Sequence, residues 1–318
     1  MLTDSKKLII FEHYKLGDTA AGLFWLRSFF HDYDYDIVFV SGEKNIELAK
    51  LVSSNVRLET IKMWKRGYSL QTLFLGMLGV FKMLALLRKY PQHSVIDIRP
   101  DIFSKIATKL IFRRVYQYPL KKDNIGSCYK TMLQDFYGDH GIDFAYTISQ
   151  NNQLNFNKKK IIFCPFAAFK DRSLTNQQIV NFIESIPKDI EIVIPMEQKK
   201  FHNIERSIKN SLTIDSQKRL TILFADLQDL IGLLTSGTVV FCVDSAPAHI
   251  ASLFGAKTFE ILGPFSFEKV CPQSPSVIIT KQKKIQCAPC NQNECKNHIP
   301  SDCFDINTFS NQAKNFLS

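Results

Sequence analysis

The stretch Asp244-Ser245-Ala246-Pro247-Ala248-His249 puts a carboxylate, a hydroxyl and an imidazole at one point of the chain, and Leu262-Gly263-Pro264 follows after a second apolar run. Such groups at a helix start suit an anionic, hydroxyl-bearing ligand, because the unused helix amides attract negative charge. A plain turn in which Asp244 or Ser245 caps the helix accounts for the same residues without a ligand. Towards the N-terminus, Gly17-Asp18 follows His13 and Lys15 in one loop. Asp18 serves there either as a helix cap or, facing a bound hydroxyl, as a general base. His13 and Lys15 are candidates for shaping an acceptor site, Lys15 by attracting a carboxylate. A third constellation is Cys287, Cys290, Cys295 and Cys303. Four thiols in one short segment can close a tetrahedral zinc or iron site, structural because no coordination position stays open for chemistry.

These residues need elements to hold them. Val239 to Val243 is a β-branched run that reads as a buried parallel strand, with Asp244 at its carboxyl end. Pro247 fits the first turn of a following helix, and Gly255 stops that helix. Lys7 to Phe11 reads as a first strand, Gly17 as a turn, and a helix then runs through Leu23, Leu26 and Phe30. Further strands are expected near 36–41, 94–98 and 113–117, then at 161–165, 190–194, 220–224 and 258–262, with helices between. The polar and basic segment 151–160 reads as a linker. The expected organisation is α/β: an N-terminal Rossmann-like domain over 1–150, a C-terminal Rossmann-like domain over 161–303, and a closing helix over 304–318. Leu70 to Leu87 is apolar enough to suggest a membrane span, but Lys82 lies inside it and a strand follows at Val95. Charge at that depth is costly, so a crossover helix whose apolar face meets a bilayer surface is the better reading.

Composition narrows the classes. The 318 residues carry a formal charge of +10, which points to anionic partners. No zinc-finger spacing, RNP-like motif or long basic helix marks a nucleic-acid binder, and no P-loop or Ser-His-Asp spacing is present. The opening Met1-Leu2-Thr3-Asp4-Ser5-Lys6-Lys7 shows no export pattern, so a cytoplasmic protein is expected, and its eight cysteines are not read as a disulfide framework.

Taken in order, the early Leu16-Gly17-Asp18, the late Asp-Ser-x-Pro-x-His, the Gly263-Pro264 and the cysteine cluster resemble the heptosyltransferase family, family 9 of the glycosyltransferases, which acts in lipopolysaccharide core synthesis. The resemblance implies a GT-B fold, two Rossmann-like domains facing across a cleft. It also implies an inverting, metal-independent transfer from a nucleotide sugar, commonly ADP-heptose. By position, Asp18 matches the family's catalytic aspartate, and Asp244, Ser245 and His249 its donor-binding segment. Arg172 stands where the family usually has a phosphate-binding lysine, and Lys170 lies close by. The implied partners are a nucleotide-sugar donor, an anionic glycolipid or glycan acceptor and the inner-membrane surface. The chain departs from the pattern at Glu12, where a basic residue is common, at Ala246, where glycine is, and at Ala167 and Ala168, where hydroxyl residues are. Two other readings stay open: a GT-B transferase using another nucleotide sugar on capsule, glycan or protein, and a catalytically weak sugar-nucleotide-binding protein.

Overall fold

A computed structural model of the chain describes residues 7–12, 15–32, 35–52, 55–61, 70–98, 102–110, 115–118, 125–137, 156–197, 202–235, 237–292, 295 and 300–318. The chain forms two compact units, Met1–Phe144 and Ala145–Ser318.

The first unit alternates β1 (Lys7–Phe11), α1 (Leu16–Asp32), β2 (Asp36–Ser41), α2 (Glu43–Val52), β3 (Arg57–Thr60), α3 (Leu70–Lys89), β4 (Ser94–Ile98), α4 (Ile102–Lys109), β5 (Val115–Tyr118) and α5 (Ile125–Tyr137). Its five strands are parallel, in the order β3-β2-β1-β4-β5. A parallel sheet covered by helices on both faces demands strands that are apolar on both faces, and β1 meets that demand with Leu8, Ile9, Ile10 and Phe11 all buried. On one face α1 approaches α5 closely: a Cβ on Gly22 would stand 2.3 Å from the Tyr129 ring. On the other face Val80, Met83 and Leu87 of α3 are buried against the core.

The second unit contains β6 (Lys160–Cys164), α6 (Asn176–Ser185), β7 (Glu191–Met196), α7 (His202–Ser211), α8 (Ile214–Lys218), β8 (Leu220–Phe224), α9 (Leu227–Leu233), β9 (Val239–Val243), α10 (Ala246–Leu253), β10 (Lys257–Ile261), α11 (Phe267–Val270), β11 (Val277–Thr280) and α12 (Ile306–Leu317). Its six parallel strands run β11-β10-β9-β6-β7-β8. Local signals set the helix starts. Thr175 and Gln178 form a reciprocal capping box at α6, Asp226 and Asp229 do so at α9, and Asp305 accepts from the Thr308 amide at α12. An aromatic cluster ties α12 to the sheet: Phe182 packs on Phe163 at 4.3 Å and on Phe309 at 5.2 Å between ring centres. Among the described residues, no helix is long and apolar enough to cross a membrane.

Candidate functional site

In the second sheet the chain winds outward in both directions from the adjacent pair β6 and β9. The loops leaving the carboxyl ends of such a pair diverge to opposite faces and leave a crevice, the usual ligand position of an open α/β sheet. The loop after β6 is folded tightly. Ser173 Oγ accepts from the Ala167 amide at 2.9 Å and donates to the Phe169 carbonyl at 3.2 Å, and a 3-10 turn spans Lys170–Arg172. That turn brings Arg172 to the end of β9. Its Nη2 donates to Asp244 Oδ2 at 2.5 Å and to the Asp244 carbonyl at 3.2 Å. The guanidinium also lies 4.6 Å from the Phe265 ring centre. The pair is largely buried, with Arg172 and Asp244 side chains 19% and 7% exposed. Lys170, on the same turn, is exposed.

Ser245 stands at the N-cap of α10, yet its hydroxyl donates back to the Val243 carbonyl at 3.0 Å and makes no capping bond. Ser245 therefore does not cap the amide end of α10, one of the two residues the plain-cap reading offered. His249 follows on the same helix. Burial, and then the charge of Arg172, lower its pKa to about 4, so the imidazole is neutral near pH 7, and its Nδ1 has no hydrogen-bond partner.

Sequence reasoning missed Glu260. It lies on β10 in register with Cys242 of β9, is fully buried, and neither carboxyl oxygen has a hydrogen-bond partner. Burial, then the negative charge of Asp244, raise its pKa well above the ordinary value, while Arg172 acts the other way. An acid in the middle of the run Thr258-Phe259-Glu260-Ile261-Leu262 was the available signal. Phe265 and Asn291 were missed as well. Asn291 adopts a left-handed backbone at φ 56°; its amide donates to the Pro264 carbonyl at 2.8 Å and its Oδ1 accepts from the Ser266 amide at 3.0 Å.

Asn291 belongs to the cysteine-rich segment, whose Cys295 amide also donates to Asp171 Oδ2 at 2.6 Å. The segment thus braces both the Arg172 turn and the Gly263-Pro264 turn. The expected four-thiol metal site is not assembled, however. Cys287, Cys290, Cys295 and Cys303 are free, and among the described residues no three His, Cys, Asp or Glu side chains are placed to hold a metal ion. Cys303 is buried and its thiol is pushed up to about 11, first by burial and then by Cys287, Cys295 and Cys290. Those thiols therefore act on Cys303 without forming a ligand set with it. Cys164 and Cys242 are buried strand residues, as expected.

In the first unit Asp18 lies in the first turn of α1, half-buried, where negative charge suits the helix end. Its neighbour Thr19 donates to Glu12 Oε2 at 2.6 Å. Glu12 is fully buried at the exit of β1, and Ser41 Oγ also donates to Oε2 at 3.4 Å, with Asn45 bonded to Ser41 at 3.0 Å. The acid that replaces a common basic residue is thus the centre of a polar network fixing the start of α1. Lys15 is exposed, and His13 lies outside the described residues.

Residues 133–299 match the model of glycosyltransferase family 9 (heptosyltransferase). Among solved structures, a family 9 glycosyl transferase from Veillonella parvula is 14% identical, with TM-score 0.67 over 88% of this chain and 87% of that one. The E. coli heptosyltransferase WaaC with ADP is 12% identical, with TM-score 0.63 over 96% and 99%. The dodecameric iron-containing heptosyltransferase TibC, in complex with ADP-D-beta-D-heptose, is 11% identical, with TM-score 0.54 over 100% and 78%. At such identities the likeness shows the fold. No curated protein sequence matches the chain.

Proposed function

The chain belongs to glycosyltransferase family 9 and is a glycosyltransferase of GT-B fold, and on that premise we propose that it moves heptose from ADP-heptose to a hydroxyl of a lipopolysaccharide-core or related glycan acceptor, with inversion at the anomeric carbon. One observation carries the donor half of this reading: the buried Arg172–Asp244 pair at the strand-order switch of the second sheet, beside the amide end of α10. The ADP bound to E. coli WaaC and the ADP-D-beta-D-heptose bound to TibC support the choice of nucleotide.

Chemically, the acceptor hydroxyl loses its proton to Asp18 as its oxygen attacks the anomeric carbon. The bond to the diphosphate breaks on the opposite face, and the departing diphosphate gains negative charge. Arg172, Lys170 and the α10 amides meet that charge, the contribution that lowers the barrier most in such a displacement. Asp244 repels phosphate, so its part is to aim Arg172 and to accept from a donor hydroxyl. Neutral His249 adds a hydrogen-bonding group without a competing charge. The metal-independent route draws its cations from the protein. The TibC iron is the support for a structural metal here, but the thiols of this chain are not arranged to hold one, and the cysteine segment keeps its bracing role. The acceptor side of the reading places the protein in the cytoplasm, at the inner-membrane surface.

The test is calorimetry with ADP, UDP, GDP and CDP. ADP is expected to bind at least about tenfold more tightly than the others, a difference of ~1.4 kcal/mol. Preference for another nucleotide would move the chain to a different donor, the change that Ala246 and Glu260 would then explain.

A further inference from the structure

We propose that the outer face of α3 and α4 is a docking surface for an anionic lipid bilayer. The sheet order dictates that these two helices lie side by side. Right-handed crossovers from β3 to β4 and from β4 to β5 run in one direction across the sheet, so both put their helices on the same face, opposite α1 and α2. The two helices pack against each other in the structure.

The inner side of α3 is spent on the core, through Val80, Met83 and Leu87. Its outer side carries Met77, Leu78 and Phe81, exposed by 41%, 41% and 63%. Beside it, Ile106 of α4 and the following Leu110 are exposed by 37% and 58%. These are five of the nine exposed large hydrophobics among the described residues, drawn from two neighbouring helices. Helical spacing puts Met77 and Phe81 one turn apart, and Ile106 and Leu110 likewise.

Charge selects the occupant. Neither Leu70–Lys89 nor Ile102–Lys109 contains a single Asp or Glu, whereas Lys82, Arg88, Lys105 and Lys109 are exposed on them. An apolar strip on two helices whose own charged residues are all cations fits the headgroup region of an anionic bilayer: the rings and methyls enter the acyl boundary, and the lysines meet the phosphates. A water-soluble protein partner with an apolar patch would not need two helices charged with one sign alone, and a second copy would set these cations against each other. Because α3 carries a charge at Lys82 along its outer side, the helix lies on the bilayer and does not cross it.

This surface deepens the membrane side of the proposed function but stands on its own residues, and flotation with phosphatidylglycerol–phosphatidylcholine vesicles tests it. The full chain is expected to float with these vesicles, to stay behind with phosphatidylcholine alone, and to be released by salt. Phe81→Glu and the pair Lys105→Glu with Lys109→Glu should each cut binding at least about tenfold. Ile214→Glu, exposed on α8, should float as the wild type does. Unchanged thermal midpoints identify folded variants, and Phe81→Ser replaces Phe81→Glu if the latter unfolds. Equal flotation of variants and wild type, or none by the wild type, overturns the proposal. So does a dimer in light scattering that Phe81→Glu dissociates while flotation persists. ADP calorimetry on the same samples keeps the two readings apart: loss of ADP binding would remove the donor assignment and leave the flotation result untouched.

Discussion

Among the described residues each unit buries one glutamate, and the two are treated in opposite ways. Glu12 is bonded by Thr19 and Ser41, and the network continues to Asn45. Glu260 is equally buried but has no hydrogen-bond partner, within reach of an arginine already committed to Asp244, and the same arginine acts on His249, whose Nδ1 is open. A satisfied network holds a backbone in place; a cluster with unmet polar capacity costs stability and suits a ligand that completes it. The first unit therefore looks built to position Asp18, and the second to receive charge and hydroxyls.

The contrast breaks most visibly at Asp18. Asp18→Asn should lower transfer by about a hundred- to ten-thousandfold, the worth of a general base, with ADP affinity unchanged. Steady-state kinetics beside calorimetry separates the two, and a variant with normal turnover removes Asp18 from the role of base. Arg172→Ala comes next. It should weaken ADP binding at least about tenfold and lower stability by roughly 3–5 kcal/mol, because Asp244 is left buried without its cation. If ADP binds this variant as it binds the wild type, Arg172 is a structural partner of Asp244 and nothing more.

The smallest effects sharpen the comparison itself. Glu12→Leu strands the Thr19 and Ser41 hydroxyls and should cost about 1–3 kcal/mol, whereas Glu260→Leu removes an unsatisfied acid and should be neutral or stabilising. Thermal unfolding reads both, and equal losses would erase the distinction. The pH dependence has a definite sign. The folded chain holds the Glu260 proton above the ordinary value of 4.5, so the stability tied to that proton is full below pH 4.5 and is lost as pH rises towards the folded value. The advantage of Glu260→Gln over wild type should accordingly grow upward from pH 4.5. His249 acts in the other direction, losing stability as pH falls from 6.5 to about 4, and it does so in both proteins.

Central strands were legible because burial on both faces leaves only apolar runs, as in Lys7–Phe11 and Val239–Val243. The edge strands Arg57–Thr60 and Val277–Thr280 were not, being four residues each and partly exposed, with Arg57 and Glu59 breaking the pattern in one. At the site, Asp244 and Arg172 were legible as matches to local motifs. Glu260 needed the sheet order, which alone puts it beside Cys242 and within reach of the Asp244 charge. The cysteine spacing left the path of its own segment unread for a related reason. The path of that segment is set by Asn291 on Pro264 and by Cys295 on Asp171, backbone bonds that no spacing of thiols announces.

Gly263 has a consequence in time. A Cβ at this position would stand 2.6 Å from the ring of Phe304, which lies just before α12 in the core of the second unit. The turn beside Phe265 and Arg172 therefore rests on a ring supplied by residues translated after it. A nascent chain that has emerged only through β11 holds every proposed donor-binding residue and still lacks the support for their turn. Nucleotide capture should thus switch on late in synthesis, when the segment carrying Phe304 leaves the ribosome and closes the unit from behind.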